Sequence, residues 1–429
     1  MVMLRPFRPL RYNLGVVPDL ADVVSPPYDV ISVAHRNALH ERSEHNVIHL
    51  ILNRAADPYG TAAELLQAWR RDGVLARDSQ PALCFYVEDF RLPNGHAHRR
   101  EGIIGTVRLE PFSSRQIRPH ERTFARAKED RMRLLRACRT NLSPLFGLFA
   151  DRMDVLDLAR KAAGSRAADI DVRDDGDERH RVWLLHAADG IEAISAALAA
   201  EPVIIADGHH RYETALAYAE AQREQGQNDP EAPFNFVLMY LTSMSHPGLV
   251  ILPTHRILTA GVKLDVRKFL AEIEEHFQLV RFPRSAREAF RACLREHPQR
   301  GRFGITLAGQ HESMVAIMRD EAVIERFASQ FAPVVRRLDV TVLDRVILRG
   351  LLGIDCTAAA QEGHLTYTHD EYAALTAVDQ GAEAAFLMNP PDIDDVEAVC
   401  RAGETMPQKS TYFFPKLLTG LVFHPFDAP

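Results

Sequence analysis

The chain has 429 residues, 46% of them hydrophobic, with 51 basic against 58 acidic side chains and a formal charge of −7. That is globular composition with room for roughly two or three domains, and it offers no basic footprint for electrostatically driven nucleic-acid binding. No run approaches the ~18 apolar residues that a membrane helix needs. The opening Met1-Val2-Met3-Leu4-Arg5-Pro6-Phe7 is too short and too charged for a signal peptide, and the five scattered cysteines, never spaced CxxC, point to a reducing cytoplasm rather than a disulfide framework or zinc cluster.

In chain order, Val24-Ser25-Pro26-Pro27-Tyr28-Asp29-Val30-Ile31 fixes an extended, turn-prone backbone and on physics alone reads as structural. Thr61–Arg71 has helical period and stops at Gly73, a natural C-cap. Leu83–Phe90 and Ile103–Leu109 read as strands joined by the hairpin loop Arg91-Leu92-Pro93-Asn94-Gly95, where Asn-Gly supplies the positive φ. Phe124–Arg139 is helical in period; Arg173–Arg179 is an acid-rich exposed loop ahead of a strand at Val182–His186. A helix at Ile191–Ala200, a strand at Val203–Ala206, a helix at Tyr212–Gln225, a loop over Gln222–Pro233 and a strand at Phe236–Leu241 follow. Beyond Pro253-Thr254-His255-Arg256 the chain turns helix-rich, with Val266–Phe277 and Val340–Leu352 helical and Ala385–Met388 a strand. The expected fold class is mixed α/β (α+β), divided near residue 260 into a phosphate-loop domain (1–260) and a smaller C-terminal α/β domain (261–429) closing over the site.

Three segments carry chemistry. In Ile204-Ile205-Ala206-Asp207-Gly208-His209-His210-Arg211 an apolar strand runs through Asp-Gly into a helix start, which gathers free backbone N–H groups and positive helix-dipole potential at one point. Gly208 lets backbone approach closely, and His209, His210 and Arg211 add donors for phosphate oxygens; Asp207 could hold a magnesium ion or orient a histidine. The alternative, an ordinary capped turn, stands about even with it.

The second segment is Arg118-Pro119-His120-Glu121-Arg122-Thr123 with Lys128, Asp130 and Arg131. Lys128 and Arg131 fall on one helix face, and Glu121 could serve as a base or a metal ligand beside a phosphate; a solvated amphipathic helix is the alternative. The third, Gly403–Lys416, sets Lys409, Ser410, Thr411 and Lys416 among prolines in a short loop able to bind an anion, or simply in a surface loop before the apolar tail Leu417, Leu418, Leu421, Val422 and Phe423. Of the six lysines, Lys128, Lys409 and Lys416 fall in these clusters. No Walker, Gly-x-Gly-x-x-Gly, Gly-x-Ser-x-Gly or His-Glu-x-x-His pattern occurs. His255 could join a site, but a lone histidine is more often structural.

The order of Ser25–Val30, Pro119–Arg131, Asn141-Leu142-Ser143-Pro144, Ala206–Leu216, Leu252–Arg256 and Met406–Lys416 resembles the domain-of-unknown-function family 1015 of bacteria and archaea, over nearly the whole chain. More distantly, Asp207-Gly208-His209-His210-Arg211 is similar to the phosphate-handling loop of the ParB/sulfiredoxin superfamily, and Pro26-Pro27-Tyr28-Asp29 to the proline-rich box that precedes it there. The two boxes lie much farther apart here, so the resemblance implies a ParB/sulfiredoxin-like N-terminal portion with large insertions. It also implies that the Gly208-to-Arg211 turn grips phosphate, as in the free-serine kinases of that superfamily. Their catalytic glutamate has no match in this chain, and Glu121 is chosen on local chemistry.

The leading expectation is a phosphotransferase acting on a small hydroxylated, serine-like metabolite, with a nucleotide or pyrophosphate donor and Mg2+. Asp207, His210 and Glu121 would be catalytic, and Asp207 would be the metal ligand. Gly208, His209, Arg211, Lys128, Arg131, Lys409, Ser410, Thr411 and Lys416 would bind phosphate. A non-catalytic nucleotide-binding regulatory module and a phosphate-ester hydrolase are the alternatives. The expected partner is a small molecule rather than membrane or nucleic acid; a homo-oligomer is compatible with all three.

Overall fold

Short apolar runs such as Phe236–Ser243, buried along its whole length, can persist only inside a sheet covered on both faces. The computed structural model describes residues 1–121, 125–297 and 300–427. It has a mixed α/β fold and divides into two compact units: Met1–Pro119 with Thr123–Val250 and Pro415–Pro429, and His120–Arg122 with Ile251–Phe414.

In the first unit the sheet runs, edge to edge, Ile117–Pro119, Val203–Asp207, Leu145–Phe149, Phe236–Ser243, Ala97–Arg108, Leu83–Arg91, Arg179–Leu185, Ile170–Arg173, with Leu4–Arg5 pairing onto Ala97–Arg108. Parallel pairing joins Val203–Asp207 to Ile117–Pro119 and Phe236–Ser243 to Leu145–Phe149; the other neighbours are antiparallel. The Arg91–Gly95 hairpin forms as expected, with Gly95 at φ +84° and its N–H donating to Leu92 O at 2.8 Å. The Arg173–Arg179 segment is the turn of a second hairpin. Helices Ala125–Cys138, Ala188–Ala199 and His209–Glu224 match the helical periods, Val155–Ala163 is a further helix not read from the sequence, and Val155, Ala159, Ile194, Leu198, Tyr212 and Ala215 enter one core with Leu145, Val203 and Met239.

The segment from Pro415 onward is built into this unit rather than trailing from it. Thr419 exchanges backbone hydrogen bonds with Ser25 (3.1 and 2.8 Å), Phe423 does so with Leu10 (3.1 and 2.8 Å), and His424–Pro425 pairs with Thr140–Asn141. Leu417, Leu418, Leu421, Val422 and Phe423 are all buried. The apolar tail is therefore core.

The second unit holds an antiparallel sheet in the order Phe277–Pro283, Glu312–Met318, Arg302–Leu307, Ala384–Met388, His255–Leu258, Leu365–Thr368. Val266–His276 is helical as read, whereas Val340–Leu352 is not one α-helix. It starts as Asp339–Val342 and continues as a π-helix over Leu343–Leu351. Apolar spacing of three to four residues fits either winding over so short a stretch.

Candidate functional site

The strand Val203–Asp207 delivers Asp207 to the point where helix His209–Glu224 begins, and Gly208 makes the corner at φ +90°. A Cβ there would sit 2.6 Å from Leu145 Cδ2 and 2.9 Å from Arg211 Nη2, so both the conformation and the space call for glycine. The helix ladder starts at the corner, with Tyr212 N donating to Gly208 O at 3.0 Å.

Two cations converge on Asp207. Lys416 Nζ donates to Oδ1 at 2.6 Å and Arg211 Nη2 to Oδ2 at 3.1 Å, with the Asp207 and Lys416 side chains 18% and 11% exposed. Burial alone would push the Asp207 carboxyl up; Lys416 and then Arg211 overcome it and hold the group well below the usual carboxylate range. Arg211 is fixed by Nη1, which donates to Ser143 Oγ (2.7 Å) and Pro144 O (2.8 Å). His209 is buried, and its positive charge when protonated adds to the field on Asp207. His210 is half-buried, and its carbonyl accepts from Thr214 Oγ1 at 2.7 Å.

Beside Arg211 lies a cavity of about 60 Å³ whose lining includes Tyr28, Arg131, Ser143, Arg211, Thr214 and Thr419. Arg131 is buried, stacks over the Tyr28 ring at 4.1 Å and donates to Asp130 Oδ2 at 2.7 Å. Lys128 turns away to Glu213 Oε2 at 2.7 Å and is 38% exposed. Lys128 and Arg131 thus share a helix face in sequence but diverge in structure, because each is claimed by a different neighbour.

Asp207 does not fit the role of magnesium ligand in this arrangement. It is a single carboxylate with both oxygens bonded to cationic donors, and octahedral magnesium would have to displace them.

Glu121, Lys409, Ser410 and Thr411 belong to the second unit. Glu121 Oε1 accepts from Ser410 N (3.0 Å), Thr411 N (3.3 Å) and Thr411 Oγ1 (3.4 Å), and Met406 N donates to His120 O at 2.7 Å. Ser410 is buried with its hydroxyl donating to Pro407 O, while Lys409 is exposed at φ +58°. The glutamate read as a base is here the acceptor that shapes the 406–411 loop. Arg122 and Thr123 of the same cluster lie outside the described residues. His255 is structural: burial, followed by Arg256, pushes its imidazole down to about 3, and Nδ1 accepts from Met388 N at 3.4 Å.

Sequence reasoning missed Tyr28 and Ser143 as neighbours of Arg211. Both stand in segments quoted for the family resemblance, which was the signal available for them.

A family model described as "Protein of unknown function (DUF1015)" matches residues 4–341. Among curated proteins none matches the chain. Solved structures with similarity include a free serine kinase variant in complex with ADP (12% identity, 71% of this chain and 89% of that one, TM-score 0.35). Others are a conserved hypothetical protein from Pyrococcus furiosus (13%, 71% and 92%, 0.33) and SbnI with C-terminal truncation from Staphylococcus aureus (10%, 74% and 86%, 0.34). At this level the likeness assigns no activity to the chain.

Proposed function

The chain belongs to the DUF1015 family of proteins of unknown function, and from that premise we propose that its first unit binds the phosphate groups of a nucleotide or pyrophosphate and transfers a phosphoryl group to a small hydroxylated, serine-like metabolite. The observation that carries this reading is the pairing of Lys416 and Arg211 with Asp207 at a helix start. In the resting chain the carboxylate holds both cations in place. An arriving phosphate finds two positioned cations and the backbone N–H groups beside them, which is most of what phosphoryl transfer asks of a protein. The cavity next to Arg211, at about 60 Å³, suits a phosphate-sized group rather than a whole nucleotide. The donor's terminal phosphate is therefore the part assigned to it.

A non-catalytic nucleotide-binding reading draws on one observation. Asp207 is held far into its ionised form, which makes it a weak proton acceptor.

Calorimetry with ATP, ADP and pyrophosphate tests the binding half: the wild-type chain should bind at least one of them and Arg211→Ala none. No binding by the wild type to any of the three would overturn the reading. Phosphorus NMR of donor incubated with serine then separates transfer from binding, since only transfer yields a phosphomonoester signal.

A further inference from the structure

The acid-rich turn between Ile170–Arg173 and Arg179–Leu185 has no part in the site around Asp207: its strands lie at the opposite edge of the sheet from Val203–Asp207. Its carboxylates meet a histidine that is wholly buried. Asp174, Glu178 and His180 each present one ligand atom, and all three atoms lie within 4.8 Å of one another.

His180 sits in a row of buried polar side chains across the sheet, opposite Glu88, which in turn is opposite Arg100. His180, Glu88, Arg100 and Tyr86 are all at 0% exposure. Glu88 is ion-paired with Arg100 at 2.7 Å. Tyr86 Oη lies 3.2 Å from Glu88 Oε1 and 2.7 Å from His180 Nδ1. The Glu88 carboxylate can only accept, and with the Tyr86 proton directed to it the tyrosine oxygen accepts from His180 Nδ1–H. That tautomer leaves Nε2 as a lone pair.

Nε2 is buried without a hydrogen-bond partner among the described residues, and it points at Asp174 Oδ2, 3.5 Å away. Asp174 uses its other oxygen, Oδ1, to accept from the N–H groups of Gly176 and Glu178, both at 2.9 Å, which fixes Oδ2 toward the histidine. A lone pair facing two carboxylates is an arrangement that a cation between them resolves.

We propose that Asp174, Glu178 and His180 form a binding site for a divalent transition-metal ion of the zinc type, clasping the 174–178 turn to the buried strand. Tetrahedral zinc with bonds near 2.1 Å sets its ligand atoms about 3.4 Å apart. The Asp174–His180 separation already matches this, and the flexible Glu178 side chain closes the remainder. An imidazole among the ligands favours zinc, copper, iron or nickel over magnesium or calcium. The Nδ1–Tyr86–Glu88 chain is the outer hydrogen bonding that orients a metal-bound histidine. Two carboxylates balance the ion's charge, and three protein ligands leave one tetrahedral position for water.

The test is titration of chelator-stripped full-length protein with Zn2+ by calorimetry and thermal unfolding, with Co2+ absorption as a report on geometry. Wild type should bind one Zn2+ with a raised Tm and give a tetrahedral Co2+ spectrum. Asp174→Asn and Glu178→Gln change the partly exposed turn and keep its shape, so they should fold and lose at least tenfold in affinity. Tyr86→Phe should lose 10–100-fold through the histidine alone. The proposal is overturned if wild type binds no Zn2+, or if binding and the Co2+ spectrum survive in Asp174→Asn and Glu178→Gln.

Discussion

Lys416 Nζ stands 2.6 Å from Asp207 Oδ1, joining two residues 209 positions apart in the chain. The family match ends at residue 341, so the lysine comes from beyond the matched region while the aspartate lies inside it.

Lys416→Met should leave Asp207 with Arg211 as its remaining cationic partner in a mostly buried setting. A loss of about 1–3 kcal/mol in urea unfolding is expected, smaller than for a fully buried pair because some solvent reaches both groups. Asp207→Asn combined with Lys416→Met should cost less than the sum of the two single losses, because both substitutions remove the same pair. Full additivity of the two substitutions would contradict the pairing.

The pH dependence carries a sign. The Asp207 carboxyl is held below its unfolded value of about 3.9, so its contribution is fully present above that pH and disappears as pH falls toward the lower folded value. Acid titration of stability should show wild type losing its advantage over Asp207→Asn below about pH 4. A difference between the two that stays constant from pH 6 to pH 2 would count against the ion pair.

Arg211→Lys keeps the charge and discards the fork that reaches Asp207, Ser143 Oγ and Pro144 O together. Pyrophosphate affinity, measured by calorimetry, should fall about tenfold or more, because one ammonium cannot reproduce the planar set of donors. An unchanged affinity would mean that charge alone matters at this position.

Much of this was legible in sequence. The Val203–Asp207 strand, the corner at Gly208 and the helix after it follow from an apolar run, an Asp-Gly step and helical period, all local signals. The Asp207–Lys416 pair was not, since nothing local distinguishes a lysine before a buried tail from one in a surface loop. Leu417 to Phe423 read only as an apolar tail, and the backbone pairing of Thr419 with Ser25 and of Phe423 with Leu10 builds it into the first unit. Glu121 shows a contact that sequence hides. Its surroundings in sequence are rich in ionisable groups, but its oxygen is engaged by two backbone amides that no pattern reveals.

For Glu121 the prediction is structural. Glu121→Gln retains a carbonyl oxygen to accept from Ser410 N and Thr411 N and should unfold within about 0.5 kcal/mol of wild type; Glu121→Ala strands both donors and should cost about 1–3 kcal/mol. Equal losses in the two variants would show that the charge, not the acceptor, matters.

Gly208→Ala places a Cβ at φ +90° against Leu145 and should destabilise by about 1–3 kcal/mol while weakening pyrophosphate binding through Arg211, whose Nη2 lies 2.9 Å from the same point. Wild-type stability and affinity in this variant would place the corner elsewhere.

The first unit is assembled from stretches on either side of Ile251–Phe414, and this sets an order of events on the ribosome. The Thr419, Phe423 and His424 pairings and Lys416 itself are translated only after the whole intervening unit, a delay of roughly 10–30 s at usual elongation rates. Through that interval Asp207 has left the exit tunnel without its lysine, and the backbone of Leu10 and Ser25 awaits its partners. A nascent chain stalled before Pro415 should thus be the species most exposed to chaperones and proteases. The phosphate site proposed at Asp207 could not be completed until Lys416 has emerged.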